Sequence, residues 1–468
     1  MSMACSGTGA GLKLAQEFFA EAVEPLVTRW SDATRGAANP LPYSAGLLGP
    51  GSEILGFDDD VSTDHDFGPR VMVFLTPHDH TACATEINAM LSRDLPRSFR
   101  GFSTHFGDPD PNDCGTRQLV TVDTASTLLI SHRVECYSWE SFTLSYVGVA
   151  LSDQTADEEG GPSAAVWMTT PQQIWRSLAG GGALFRDDLD IRHHIARLRW
   201  PPRDIELAWA AALWRRIAEE EHLLGRATMR NDFLGGSLIA SRISAAVMRL
   251  AFLLERQYAP YPKWFGTAFS QLQLATALQP LLEAVARTPS AVGRRDAVTV
   301  VLVRVVRAYT DAGRFSTQSV ERWIAEGGAA TAPTAAVGSK PFFTRPFNVV
   351  VSNRDMSEDL VRQIGDPSIL TMIQSQDGAG PIDCITDSTA VVESLAWRRS
   401  LRDFANECAS SNPPKGIASL SPSYGIRPFD LHIFAHTPRH HAPWCSPFNR
   451  VAYDPFLLSL SVAVSTLL

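Results

Sequence analysis

GSEILGFDDDVSTDHDFGPR, residues 51–70, carries five aspartates and a glutamate in twenty positions and leads into an apolar run, residues 71–75. Carboxylates this close repel one another unless cations lie among them. The stretch itself offers few basic residues, so we expect a metal ion to neutralise the acids. The alternative is a solvated acidic loop without a ligand.

A calcium-binding loop does not fit the stretch. Residues 58–64 alternate acidic or hydroxyl side chains with others, as the ligands of an EF-hand do. The sixth position of such a loop needs glycine and the twelfth needs a bidentate glutamate. Thr63 and Pro69 stand there instead. A magnesium site and a solvated loop remain.

Asp64 and Asp66 are the candidate magnesium ligands. Two residues at i and i+2 of an extended segment point to one face. Magnesium uses few carboxylates and completes its shell with phosphate and water, and two ions side by side suit phosphoryl-group chemistry. Gly51 and Ser52 would offer N–H groups and a hydroxyl to phosphate. We therefore predict a nucleotide and two Mg²⁺ ions at this site.

Gly51-Ser52, followed twelve positions later by Asp64-His65-Asp66, resembles the signature of the DNA-polymerase-beta-type nucleotidyltransferase superfamily. One family of that superfamily, described only as a domain of unknown function, is similar over roughly residues 40–400. The motifs shared with it are GFDDDVSTDHDFGPR (56–70), RDDL (186–189), WRRIAEEE (214–221), RLAFLLERQYAPYPKW (249–264), RPF (345–347) and PIDCITDST (381–389). In the last motif, the family more often has Gln and Phe where Cys384 and Ile385 stand. Pro69 also departs from the superfamily pattern and predicts a kink or bulge.

The resemblance implies an α+β protein, in which a nucleotidyltransferase α/β catalytic domain with a mixed sheet precedes a helical bundle domain, as in aminoglycoside nucleotidyltransferases. It implies transfer of a nucleoside monophosphate from an NTP, with pyrophosphate release, to a hydroxyl or amine of a small molecule, a protein or an RNA end. Two other functions stay open. One is a catalytically silent nucleotide- or partner-binding module. The other is a metal phosphohydrolase using His65-Asp66, which needs further ligands on helices that offer only His193, His194 and His222.

The resemblance also requires a third carboxylate on a strand beside the acids. Glu135 lies inside the strand-like run ISHRVECYSW (130–139) and shares a face with Arg133 and Tyr137. It would ligate the second metal or take the proton of the acceptor. A surface glutamate on an edge strand is the alternative reading, and Asp123, at a strand end, is the rival ligand.

Basic residues of the helical region are implied by the resemblance as triphosphate contacts. Lys263 follows a Pro-rich turn between Tyr261 and Trp264 and is the candidate, although it could equally be a lysine lying along a tryptophan. A row at seven-residue spacing is more typical of solvated faces or ion pairs: Arg242, Arg249 and Arg256. The histidines of residues 432–441 and of residues 78–80 are predicted to lie in loops rather than at a metal.

Hydrophobic periodicity predicts a helix over residues 13–30, kinked at Pro25, and strands over residues 71–75, 119–122 and 128–137. Residues 171–323 show long helical patterns. Acidic or small-residue linkers at 152–166 and 327–340 divide the chain. We therefore predict a catalytic domain at 1–150, a helical substrate-binding domain at 165–328 and a partly irregular C-terminal extension at 341–468.

Composition limits the partners and the compartment. The net charge is −9 and there is no long basic run, so duplex DNA is not expected as a partner. The seven cysteines form no C-x-x-C pair, which suits a reducing compartment. No signal peptide is evident, and the apolar run at 456–468 is too short to span a bilayer. A cytoplasmic protein without a membrane partner is expected.

Overall fold

The computed structural model describes residues 10–59, 66–111, 115–121, 129–152, 161–315 and 353–374, with the short pieces 398–399, 402–403 and 405–406. All of these except residues 109–116 belong to one compact unit. Several predicted features lie outside the described residues: Asp64, His65, Asp123, most of both linkers, the motifs at 345–347 and 381–389, and the histidines at 432–441.

The chain is a mixed α+β protein with more helix than strand. Its strands are β1 (Ser44–Leu47), β2 (Arg70–Phe74), β3 (Ser98–Phe99), β4 (Phe102–Ser103), β5 (Arg133–Tyr137) and β6 (Ala183–Asp187). Its helices are α1 (Ala10–Phe18), α2 (Glu24–Arg35), α3 (Pro77–Asp94), α4 (Trp139–Tyr146), α5 (Ala164–Thr169), α6 (Gln172–Ala179), α7 (Ile191–Arg197), α8 (Arg203–Met229), α9 (Phe233–Leu254), α10 (Pro262–Ser270), α11 (Ala275–Arg287), α12 (Ala291–Asp311), α13 (Asn353–Arg362) and α14 (Pro367–Gln374).

The predicted N-terminal helix is confirmed and is longer than expected. A π-helical turn, Phe19–Val23, joins α1 to α2, and Pro25 lies in the first turn of α2. Proline cannot donate to the carbonyl four residues before it, and its ring clashes there. The wider π-turn accommodates that proline, so the helical path continues past Pro25.

The main sheet is mixed, as predicted, with strand order β5-β2-β1-β6. Strand β2 runs parallel to β5 and antiparallel to β1, which is also antiparallel to β6. Strand β6 comes from the region predicted to be helical. The pairing of β1 with β6 shifts register beside Gly46, where a Cβ atom would lie 2.4 Å from the Ala183 carbonyl oxygen.

One strand prediction and one loop prediction need correction. Among the described residues 119–121 of the predicted strand 119–122, Leu119 forms an isolated bridge with Phe106 and none belongs to a ladder. The kink predicted at Pro69 is present, because the chain bends at Gly68 and Pro69 directly before the first residue of β2. Residues 78–80 are not in a loop, because Thr76 caps α3 by accepting a hydrogen bond from the Asp79 N–H, and the helix begins at Pro77.

The two faces of the sheet belong to different cores. Val71, Val73 and Val134 pack against α1, α2 and α3. Met72 and Phe74 point the other way, into the core formed by α4 to α14. Sheet and helices therefore share one core across the predicted boundary near residue 150, and that boundary stays a prediction.

Helix α9 is apolar and long enough to span a membrane. Ala240, Ile243, Val247 and Leu250 are buried along its inner face, and the helix packs mainly against α8 and α12. This burial is typical of a core helix in a water-soluble protein.

Candidate functional site

The predicted site residues meet at one end of the sheet. Gly46 of β1 pairs with Met72 of β2, and Arg70 pairs with Arg133 at the start of β5. The end of β1 and the starts of β2 and β5 therefore lie side by side. This places the Gly-Ser turn after β1, Asp66 before β2 and Glu135 within β5 at the same edge.

Asp66 and Glu135 share one cation, the guanidinium of Arg133. Its Nη1 lies 2.6 Å from Asp66 Oδ1, and its Nε lies 3.1 Å from Glu135 Oε1. The Tyr137 hydroxyl donates to Glu135 Oε2 at 3.3 Å. The predicted shared face of Arg133, Glu135 and Tyr137 is therefore present. The two carboxylates are 35% and 34% exposed, so both remain accessible to a ligand.

The electrostatics of this group keep Arg133 charged and Tyr137 neutral. Burial lowers the pKa of Arg133, but the Glu135 and Asp66 carboxylates outweigh burial and raise the pKa above its ordinary value. Burial and the Glu135 charge raise the pKa of Tyr137 to about 12. Tyr137 is thus a hydrogen-bond donor at neutral pH.

The backbone at Asp66 differs from the prediction. Asp66 has φ of +50°, in the left-handed region, so the expected extended conformation is wrong at this residue. Its N–H donates to the Arg117 carbonyl at 2.9 Å, and its Oδ1 accepts from the Arg117 N–H at 3.3 Å. Aspartate tolerates this conformation because its short side chain bonds nearby backbone. The conformation turns the chain before β2.

Part of the negative charge of the acid-rich stretch is compensated by groups of the protein itself, without a metal ion. The carboxylate of Glu53 forms a buried ion pair with Arg70, which also donates to the Pro50 carbonyl. Asp58 Oδ2 accepts from the Gly11 N–H in the first turn of α1 at 2.8 Å, a position that favours a negative charge. The prediction that these acids lack neighbouring cations is therefore wrong for Glu53 and for Asp66.

The Gly-Ser turn is tied to the helical region. Trp264 Nε1–H donates to Ser52 Oγ at 3.0 Å and to Tyr261 Oη at 2.8 Å, and the two hydroxyls lie 3.0 Å apart. The Ser52 carbonyl accepts from the Phe57 N–H and closes the turn. Ser52 therefore lies where the turn meets the start of α10.

Lys263 lies beside this junction. It is exposed in the first turn of α10, and its Nζ lies 5.0 Å from the ring centroid of Trp264. Trp264 thus contacts both Ser52 and Lys263 and brings these two predicted phosphate contacts into one neighbourhood. Lys263 therefore lies along a tryptophan, which is the structural alternative stated for it. It also lies close to Ser52, so its role as a phosphate contact stays a prediction.

Arg176 is a nearby cation that was not identified from the sequence. It lies on α6, donates to the Tyr258 carbonyl at 2.6 Å, and has its guanidinium 5.8 Å from the ring centroid of Phe57. Phe57 in turn packs on Trp264. Burial lowers the pKa of Arg176, and no carboxylate of the described residues pairs with it. An anion at the turn would compensate this charge.

Other candidates are structural. Arg242 forms a two-point ion pair with Glu220, and Arg256 pairs with Glu206, in keeping with the ion-pair alternative for this row. In the RDDL motif, Asp187 accepts N–H groups of α7 and Arg186 pairs with Asp188. These residues hold β6 and α7 in place.

The oxygen atoms of the Asp66 and Glu135 carboxylates are of the type that magnesium binds. No group of three His, Cys, Asp or Glu side chains able to hold a metal occurs among the described residues, which exclude Asp64. Asp66 and Glu135 nevertheless converge on one cation, and carboxylate oxygens are preferred magnesium ligands. Asp66 and Glu135 are the described residues that would hold it.

Gly51→Ala is expected to lower the free energy of unfolding by about 1–3 kcal/mol. Gly51 has φ of +141°, and a Cβ atom would lie 2.5 Å from the Glu53 carboxylate that Arg70 holds. Gly36→Ala is the control, because Gly36 has φ of +82° and open space around it. Chemical denaturation should show the larger loss for Gly51→Ala. Equal losses would mean that the Glu53 side chain moves away without cost.

Comparison with known proteins gives one match. Residues 167–265 match the family model described as "Domain of unknown function (DUF4037)". The matched segment contains Arg176, Lys263 and three of the motifs noted in the sequence, at 186–189, 214–221 and 249–264. No curated protein and no solved structure matches the chain.

Proposed function

We propose that this protein is a magnesium-dependent nucleotidyltransferase, which moves a nucleoside monophosphate from an NTP to a hydroxyl or amine acceptor. The main observation in support is that Asp66 and Glu135 converge at the end of the sheet where the Gly-Ser turn also lies. Mg²⁺, when bound, would neutralise phosphate charge and make the α-phosphorus a better electrophile.

The proposed site residues form two groups, one that would bind phosphate and one that would bind the metal. Gly51 and Ser52 would bind the outer phosphates, with Lys263 and Arg176 as the cations beside them. Asp64 and Asp66 would hold the metal, and Glu135 would ligate the second metal ion or accept the proton of the acceptor. The acceptor oxygen or nitrogen forms a bond to the α-phosphorus, the bond from that phosphorus to the bridging oxygen breaks, and pyrophosphate leaves.

Nucleotide and magnesium are expected to bind together. Each of the four NTPs is titrated calorimetrically into the full chain, with Mg²⁺ and then with EDTA, and Mg²⁺ should tighten binding about tenfold or more. At a hundred times its dissociation constant, the preferred nucleotide should stabilise the fold by about 2.7 kcal/mol in a thermal-shift measurement. Equal affinity with Mg²⁺ and with EDTA for every nucleotide contradicts the proposal.

Product analysis separates the alternatives. The preferred nucleotide, labelled at the α-phosphorus, is incubated with an aminoglycoside mixture, with RNA and with protein that includes the chain itself. A labelled acceptor with pyrophosphate supports transfer. Free phosphate would indicate a phosphohydrolase. Nucleotide binding without any product would indicate a silent binding module, for which the cation between Asp66 and Glu135 provides an argument.

A further inference from the structure

Arg133 is the cation between the carboxylates of Asp66 and Glu135, two of the residues that would hold a metal ion. Its guanidinium contacts Asp66 through Nη1 and Glu135 through Nε. The side chain is 18% exposed, and its guanidinium lies 5.7 Å from the ring centroid of Phe106. A second cation cannot engage both carboxylates at full strength while the guanidinium stays there, because like charges repel.

Arg133 is the one side-chain cation paired with either acid among the described residues. The other donors to these carboxylates are neutral: the Arg117 N–H at Asp66 Oδ1 and the Tyr137 hydroxyl at Glu135 Oε2. Displacing Arg133 would leave a half-buried guanidinium without a partner, which is costly. A phosphate group can supply that partner, since arginine binds phosphate through the same fork as carboxylate.

We propose that Arg133 couples metal binding to nucleotide binding. Its guanidinium holds Asp66 and Glu135 together in the metal-free protein and moves to a nucleotide phosphate when Mg²⁺ binds the carboxylates. This inference rests on the proposed function. Metal alone binds weakly because it must displace Arg133, and the nucleotide strengthens metal binding because it receives the displaced guanidinium. By linkage, the metal strengthens nucleotide binding by the same factor.

The test is a titration of the full chain with Mn²⁺ in the absence of nucleotide. Electron paramagnetic resonance measures the bound and the free Mn²⁺. Arg133→Met should bind Mn²⁺ about tenfold more tightly than the wild type, because the competing charge-assisted hydrogen bonds are gone. The measurement is repeated with the α,β-methylene analogue of the NTP that gives the largest thermal shift. The factor by which this analogue tightens Mn²⁺ binding should be smaller in Arg133→Met than in the wild type.

Arg117→Met is the matched control. It removes the same charge, but the Arg117 side chain donates to the Gly107 carbonyl and not to either acid. Its Mn²⁺ affinity should equal that of the wild type. If Arg117→Met tightens Mn²⁺ binding as much as Arg133→Met does, net charge alone explains the effect and the inference is overturned.

Arg133→Lys decides the question if Arg133→Met does not fold. An ammonium keeps the charge but cannot form the fork that reaches both carboxylates. Its Mn²⁺ affinity without nucleotide should lie between those of the wild type and the expected Arg133→Met value. Wild-type affinity in both variants overturns the inference and leaves the proposed function intact. A wild-type protein that binds neither Mn²⁺ nor any NTP overturns the proposed function itself.

Discussion

Asp66→Asn and Glu135→Gln are each expected to lower the rate of nucleotide transfer by about 10³-fold, since the charge stabilisation that a bound metal supplies is worth several kcal/mol. Both amides keep the shape of the carboxylate and lose its charge, so they weaken the metal site without a cavity. Pyrophosphate release is the measurement, made at saturating nucleotide. Glu135→Gln should retain more nucleotide affinity than Asp66→Asn, if Asp64 and Asp66 carry the larger share of metal binding.

The folded state of both variants should change little. Each acid is about one-third exposed, and ion pairs of this kind contribute about 1 kcal/mol or less. Glu140→Gln, in the first turn of α4, is the control and should keep full activity. Asp123→Asn separates the two candidates for the third ligand. Should Asp123→Asn abolish transfer while Glu135→Gln keeps it, Asp123 is the ligand and Glu135 is not.

Arg70→Met is expected to lower the free energy of unfolding by about 3–5 kcal/mol, because it leaves Glu53 buried with an uncompensated charge. The two side chains are only 6% and 8% exposed, so water cannot replace the guanidinium. The measurement is equilibrium denaturation in urea. Because Glu53 lies next to Ser52, the variant should also weaken nucleotide binding.

Two further variants test whether the loss of stability comes from the unpaired negative charge of Glu53. Arg70→Met combined with Glu53→Gln should recover much of the lost stability, because the remaining side chains are neutral. Arg100→Met removes an exposed arginine that pairs with Glu17 and Glu21, and should cost about 1 kcal/mol or less. If Arg70→Met costs no more than Arg100→Met, the Glu53 pair does not hold the turn.

The local elements were predictable where a periodic apolar pattern marks them. The N-terminal helix and the strand carrying Glu135 follow from such patterns, and side-chain alternation placed Arg133 and Tyr137 beside Glu135. Strand β6 was missed because its residues alternate weakly and lie within a region of long helical patterns. The prediction of a loop at His78-Asp79-His80 fails because the Thr76 cap and Pro77, which together start α3, lie before the apolar periodic pattern.

The charge partners within the site could not be predicted in the same way. Arg70 and Glu53 are separated by seventeen positions, and Arg133 and Asp66 by sixty-seven. Pairing at such separations depends on which strands lie side by side, which no local pattern specifies. The position of Arg176 beside Phe57 has the same origin, since α6 and residue 57 are brought together by the fold. The many acids of residues 51–70 predict a metal ion as their counter-charge. The fold also brings arginines from distant positions to these acids.

The fourth strand of the sheet bears on how the chain can be divided. Strand β6 covers the outer side of β1, although more than 130 residues separate them, and RDDL anchors it there. A fragment ending near residue 150 would lack this strand and expose the backbone N–H and C=O groups of β1 as a free edge. Free edges of this kind pair with other chains and aggregate. Residues 1–150 are therefore not expected to fold as a separate module, and a fragment that keeps β1 paired on both sides has to include β6.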